Sequence, residues 1–161
     1  MRKLKLKTDA ILSEDRKYRY LLSRIWDESK STVMIIGLNP STADETENDP
    51  TIERCISFAK SWGYGGVYML NLFGFRATQS KDMFNAEEPI GIDNDEYIKK
   101  YSKICDKVVC AWGNDGNYKN RSQEILAIIK NSYYLKLNKT GEPAHPLYLK
   151  ADLVPIKFAS N

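Results

Sequence analysis

Apolar positions along this chain fall into two kinds of run, and their alternation predicts the fold class. "STVMIIG" (31–37), "GVYMLNLF" (66–73), "DKVVCAWG" (106–113) and "SYYLKLN" (132–138) are short and nearly continuous, as strands are when both faces of a parallel sheet are covered. Between them lie segments with helical spacing. "NDPTIERCISFAKSWG" (48–63) carries Asp49 as N-cap, Pro50 at the first helical position, Ile52, Cys55, Ile56, Ala59 and Trp62 on one stripe, and Gly63 as a stop. "DNDEYIKKYSKIC" (93–105) keeps Tyr97, Ile98, Tyr101 and Ile104 at helical spacing, and "NYKNRSQEILAIIKN" (117–131) turns Ile125, Leu126 and Ile129 inward. Ahead of these, "RKYRYLLSRIW" (16–26) predicts one or two strands at an edge. Strands alternating with helices imply an α/β three-layer sandwich around a central, mainly parallel four-stranded sheet, with an N-terminal edge hairpin. A single domain is expected over 1–161, with 1–30 supplying the tail and edge strands and 31–150 the core.

Ligands in such folds sit outside the carboxyl ends of the strands. The residues just after each strand are therefore the candidates: Gly37, Leu38, Asn39, Pro40 and Ser41 after the first, Asn71 after the second, "AWGN" after the third, and "AHPLY" after the fourth. Gly37 is free to adopt backbone angles closed to other residues and leaves the strand end open. Pro40 pushes Asn39 toward an extended conformation, so its carboxamide is held in place to orient a water. Asn71 offers a donor and an acceptor on one planar group, the pattern of a base edge. His145, the one histidine of the chain, is fixed between Pro143 and Pro146. Each also has a plain structural role open to it, because Asn39 and Asn71 suit turns and a loop histidine suits the surface. Ser41, Thr42 and Asp44 suit the cap of a short helix, with Asp44 in reserve for water activation. Phe73, Phe75 and Trp112 serve either as core or as stacking walls.

Composition narrows the class without choosing the chemistry. At 161 residues and 42% hydrophobic, the chain can bury a core without metal or disulfides. Cys55, Cys105 and Cys110 are odd in number and set among apolar neighbours, as reduced core cysteines are, and their spacing suits neither zinc nor an iron–sulfur cluster. No apolar run nears the roughly 20 residues of a membrane span. "MRKLKLKTDA" lacks the features of a secretory signal, so the expectation is a cytoplasmic protein without membrane contact. Net charge is +3, with Arg2, Lys3, Lys5 and Lys7 crowded at the start as a solvated tail. That charge permits nucleic-acid binding without indicating it.

In order, Gly37-Leu38-Asn39-Pro40, Asn71 in "YMLN", "VVCAWGN" and His145-Pro146 resemble the strand-end motifs of the uracil-DNA glycosylase superfamily, over about residues 32 to 149. More narrowly, "GLNPSTAD", "NDPTIERC", "WGYGG", "NLF", "RAT", "AWG" and "HPLYL" resemble the family of domain of unknown function 1643. The wider resemblance implies a uracil-DNA glycosylase-like fold and hydrolysis of the N-glycosidic bond of a pyrimidine or modified pyrimidine in DNA or a nucleotide. Asn39 and His145 are then the catalytic pair, Asn39 holding the attacking water and His145 donating to the departing base. Gly37, Leu38, Pro40, Ser41, Asn71, Phe73 and Trp112 contact substrate, Asn71 reading the base edge and Phe73 stacking on it.

The first motif carries Asn39 where the uracil-specific branch has aspartate, like the thymine/uracil mismatch branch, which implies slower chemistry. Ser41 stands where the uracil-specific branch places a tyrosine that excludes a 5-methyl group, so the resemblance implies that thymine or a larger 5-substituted pyrimidine is admitted. Leu147 replaces the serine that follows His-Pro. Neither a cofactor nor a metal is implied. The implied partner is a nucleobase-containing substrate, single-stranded or mismatched DNA or a nucleotide. Arg76, or Lys119 and Lys139, are candidates for phosphate contact, with a solvated surface role as the plainer alternative. Two other readings use the same crevice: a non-catalytic nucleobase- or nucleotide-binding module, and a small-molecule hydrolase.

Overall fold

The structure is a computed structural model that describes residues 6–158. Arg2, Lys3 and Lys5 of the expected tail lie outside the described residues, whereas Lys7 opens the first strand. Among the described residues the chain forms seven strands in one sheet and four α-helices: β1 (Lys7–Leu12), β2 (Arg19–Ile25), β3 (Thr32–Gly37), α1 (Pro50–Ser61), β4 (Gly66–Asn71), α2 (Ser80–Phe84), α3 (Asn94–Ile104), β5 (Lys107–Cys110), α4 (Arg121–Ile128), β6 (Ser132–Tyr134) and β7 (Ile156–Lys157).

The sheet runs β1-β2-β4-β3-β5-β6-β7. The pairs β4/β3, β3/β5 and β5/β6 are parallel, while β1, β2 and β7 pair antiparallel with their neighbours. The sheet is thus mixed and wider than the expected four strands with an N-terminal edge hairpin, β7 adding a further antiparallel strand at the far edge. β3 shows why its sequence is unbroken: Val33 and Ile35 enter the core beneath α1, and Met34 and Ile36 enter the opposite core with Ile98 of α3 and Ile125 of α4. A strand covered on both faces has no polar side to show.

α1 keeps the ends its sequence marks. Asp49 accepts a hydrogen bond from Ile52 N at 2.8 Å, and Gly63, at φ 85°, ends the segment in a left-handed turn that other residues take at a cost. Two expectations need correction. α4 begins only at Arg121, because Lys119 and Asn120 carry left-handed backbone angles (φ 53° and 60°) that interrupt the predicted helix. Ile104, the last residue of α3, is exposed and does not join the buried stripe.

The β1/β2 pair holds an irregularity that matters for the site. Ile11 pairs with Leu21 but Leu12 pairs with Arg19, so Tyr20 is an extra residue in β2. This bulge places Arg19 in the register of Leu22 and Arg24, on the α1 side of the sheet, and sends Tyr20 the other way, stacked on Tyr97 of α3 at 5.6 Å.

Candidate functional site

β3 and β4 end side by side, Gly37 paired with Asn71. A Cβ on residue 37 would lie 2.9 Å from Asn71 Oδ1, so the glycine is there for room. Its backbone is not among those with positive φ, which corrects the expected reason for a glycine at this place. Past the strand ends, Leu72 N and Phe73 N donate to Gly37 O and Leu38 O, and Ala77 N donates to Pro40 O, tying the two loops together.

Asn39 sits inside this lacing. Its Nδ2 donates to Pro40 O at 3.1 Å and to Ala77 O at 3.0 Å. With both amide hydrogens on carbonyls, the network assigns the carboxamide orientation and leaves Oδ1 as the acceptor of the group.

The following loop, 41–47, is held by three arginines through its own carbonyl groups. Arg76 donates to Ser41 O and Thr42 O, Arg19 to Ala43 O, and Arg24 to Asp44 O and Glu47 O. No helix forms at 41–49, contrary to the capping role expected of Ser41, Thr42 and Asp44. Asp44 instead closes a turn, accepting from Thr46 N at 3.0 Å and Glu47 N at 2.9 Å. Those backbone bonds hold its carboxyl below the usual carboxylate range.

His145 caps a single 3₁₀ turn, 146–148, its Nδ1 accepting from Leu147 N at 3.2 Å. A ring nitrogen that accepts carries no proton, so in the neutral ring Nε2 is the donor. Burial lowers the imidazole from its ordinary value of 6.5, against a smaller opposing pull from Asp49, which favours this neutral form. The loop before it is anchored to the segment that follows β5, Gly113 N donating to Pro143 O at 2.8 Å and Trp112 Nε1 to Glu142 at 3.3 Å.

These elements enclose a hollow of about 450 Å³ at the strand ends, a volume within the range of small-molecule sites. Gly37, Leu38, Asn39, Pro40, Ser41, Asn71, Trp112 and His145 all line it. Asn71 is 4% exposed and its Nδ2 has no hydrogen-bond partner. Phe73 is not brought to the hollow: its ring is fully buried and tilted against Tyr118 at 5.7 Å. Asp44 and Arg76 are also absent from its lining, being committed to the 41–47 loop. Lys119 and Lys139 are exposed and do not border it.

Several lining residues escaped the sequence reading, among them Thr78, Ser80 and Asp115, and two of them carry charge deep in the wall: Asp49, read only as a cap, and Arg19. The Arg19 guanidinium is 2% exposed, donates to Ala43 O at 3.2 Å, and has an Nε without a partner. Burial lowers it to about 10, with Asp49 pulling the other way, so it remains a cation at neutral pH. The three cysteines are free and buried, and burial pushes Cys55 up to about 12 and Cys105 up to about 11, which removes them as thiolate nucleophiles. Among the described residues, no three His, Cys, Asp or Glu side chains gather as a metal centre requires, and no helix is long and apolar enough to cross a membrane.

Fold and hollow together define a class: a mixed α/β protein with a polar, ligand-sized hollow at the carboxyl ends of neighbouring parallel strands. Within it, the chain belongs to the family described as Protein of unknown function (DUF1643), whose pattern matches residues 19–147, well over half of the sequence. No curated protein and no solved structure matches it.

Proposed function

We propose that the chain is a glycosylase-like hydrolase, with a uracil-DNA glycosylase-like core, that cleaves the N-glycosidic bond of a pyrimidine or modified pyrimidine in DNA or a nucleotide. The observation that carries this reading is a held acceptor and a held donor bordering one hollow: Asn39 with its amide nitrogen fixed on Pro40 O and Ala77 O, and His145 with Nδ1 engaged and Nε2 left to donate. In the reaction the bond from sugar C1′ to the base nitrogen breaks, its electron pair leaving with the base. His145 Nε2–H stabilises the negative charge that develops on the base oxygen, an effect of roughly 2.7 to 4 kcal/mol in comparable oxyanion sites. Asn39 Oδ1 accepts from the water that adds to C1′ as hydroxyl, and the proton of that water ends on the base. Asn71 reads the base edge with the donor that has no protein partner.

A base in duplex DNA must first be flipped out, at a cost of a few kcal/mol. A net charge of +3 offers little to offset that, so the reading favours single-stranded DNA or a free nucleotide.

One feature favours a second reading, a non-catalytic module that binds a nucleobase or nucleotide. Asn39 presents an amide, which cannot take a proton from water as a carboxylate does.

The test is incubation of the purified protein with thymidine 5′-monophosphate and with oligonucleotides carrying uracil, mismatched thymine or 5-modified pyrimidines, followed by assay for free base and abasic sites. Product should form, and Asn39→Ala and His145→Ala should each lower the rate about 10²- to 10³-fold. Saturable binding without product establishes the module reading. Product formed at an unchanged rate by both variants defeats the assigned roles.

A further inference from the structure

Three arginines of the described chain are almost wholly buried, and they differ in what surrounds the charge. Arg121 donates to Leu72 O and to the carboxylates of Asp95 and Glu124. Arg24 meets five oxygen acceptors: Asn48 Oδ1 and the carbonyl groups of Asp9, Ser23, Asp44 and Glu47. Arg19 has Ala43 O alone, with no ion pair and an unpartnered Nε. A buried guanidinium with five N–H donors and one acceptor is costly to the fold unless something else binds it. Its placement is built, since the Tyr20 bulge turns Arg19 onto the face that leads to the hollow, a use for which bulges near active sites are known.

The same hollow holds a second unmet donor. Among the described residues, three buried side-chain donors lack partners, Arg19 Nε, Arg54 Nε and Asn71 Nδ2, and two of the three belong to residues that line this one space. Asp49 borders it too, but its carboxylate caps α1 through Ile52 N and makes no ion pair with Arg19. Asp49 and Asp115 stand in the same wall, where Arg19 is the one arginine or lysine. Retention of an anion would stand on one guanidinium.

We propose that Arg19 makes the hollow an anion subsite, its guanidinium binding a phosphate group of the ligand, so that the substrate is a charged nucleotide or a phosphodiester strand and not a neutral nucleoside or free base. This deepens the function proposed above and shares its hollow, yet it concerns binding and needs no hydrolysis to be read. A planar fork suits a phosphate, which accepts two parallel N–H bonds from it.

Calorimetric titration of the full chain with thymidine 5′-monophosphate, thymidine, inorganic phosphate and a short oligothymidylate tests it, using wild type, Arg19→Lys and Arg19→Met. Wild type should bind the monophosphate at least tenfold more tightly than thymidine, and inorganic phosphate should compete. Arg19→Met should erase that difference while its melting temperature stays the same or rises, because a buried unpaired cation has been removed. Arg19→Lys should keep part of it through point charge. Tighter binding of oligothymidylate than of the monophosphate identifies a phosphodiester as the source, and the reverse identifies a free nucleotide.

Equal binding of monophosphate and thymidine by wild type overturns the proposal. So does an equal loss of both in Arg19→Met, absence of any saturable binding, or an Arg19→Lys protein that is folded yet keeps the full preference together with Arg19→Met. The two proposals fail separately: phosphate-dependent binding with no free base released removes the hydrolase alone, and equal release of base from monophosphate and thymidine removes the anion subsite alone.

Discussion

Two hollows of this protein differ in a way that size alone would misjudge. The larger, about 1010 Å³, opens beside Tyr18, Tyr20, Ile90 and Ile92 under a rim of Glu14, Asp15 and Glu88. Tyr18 and Asp15 there are paired within the protein: Tyr18 Oη donates to Glu88 O at 2.6 Å, and Asp15 accepts from Ser13 Oγ at 2.7 Å and Lys17 N at 3.0 Å. The smaller hollow at the strand ends has less than half the volume but contains two buried donors without partners, a held amide and a neutral imidazole. Unmet hydrogen-bonding capacity in a buried place disfavours the unliganded fold and is relieved by a ligand. That capacity, rather than volume, distinguishes a built site from a surface depression.

Arg24 and Arg19 carry the same contrast to single side chains on one strand. Arg24→Met leaves five acceptors around a lost guanidinium and should lower stability by about 3 kcal/mol or more, read as a fall in melting temperature, whereas Arg19→Met should not. Gly37→Ala comes next. Its Cβ would press on Asn71 Oδ1, so the variant should lose roughly 1–3 kcal/mol and bind nucleotide more weakly.

pH gives a smaller and signed effect. Because the folded protein lowers His145 below 6.5, the stability linked to it is complete above that value and is lost as pH falls from 6.5 through the folded value. Any hydrolysis should likewise persist below pH 6.5 before its acid limb begins. The smallest effect belongs to the larger hollow: Tyr18→Phe removes the bond to Glu88 O, should change stability by about 1 kcal/mol, and should leave nucleotide binding unchanged. A loss of binding in Tyr18→Phe without one in Gly37→Ala would invert the comparison.

Much of this arrangement is legible in the sequence, for stated physical reasons. β3, β4 and β5 are apolar without interruption because both faces are covered, and α1 carries its own punctuation in Asp49, Pro50 and Gly63. Strand ends are then the places to look, which is how residues 37–41, Asn71, Trp112 and His145 come to notice. What stays hidden depends on register and on partners. Arg19 reads as one more residue of an edge strand, since nothing in "KYRYLL" announces that Tyr20 will be an extra residue. Phe73 lies two residues past a strand end, yet its ring packs against Tyr118 within the core cluster. Asp44 looks available for chemistry until the backbone amides of Thr46 and Glu47 claim it. β7, two residues long and exposed, has no pattern to detect.

On the proposed function, the ligand enters the strand-end hollow and leaves the larger cleft empty. A crystal structure of the protein with thymidine 5′-monophosphate tests this most directly. The base should lie against Asn71 and the phosphate within hydrogen-bond distance of Arg19. Nucleotide seated between Tyr18 and Ile92, with Asn71 and Arg19 still unpartnered, would contradict it.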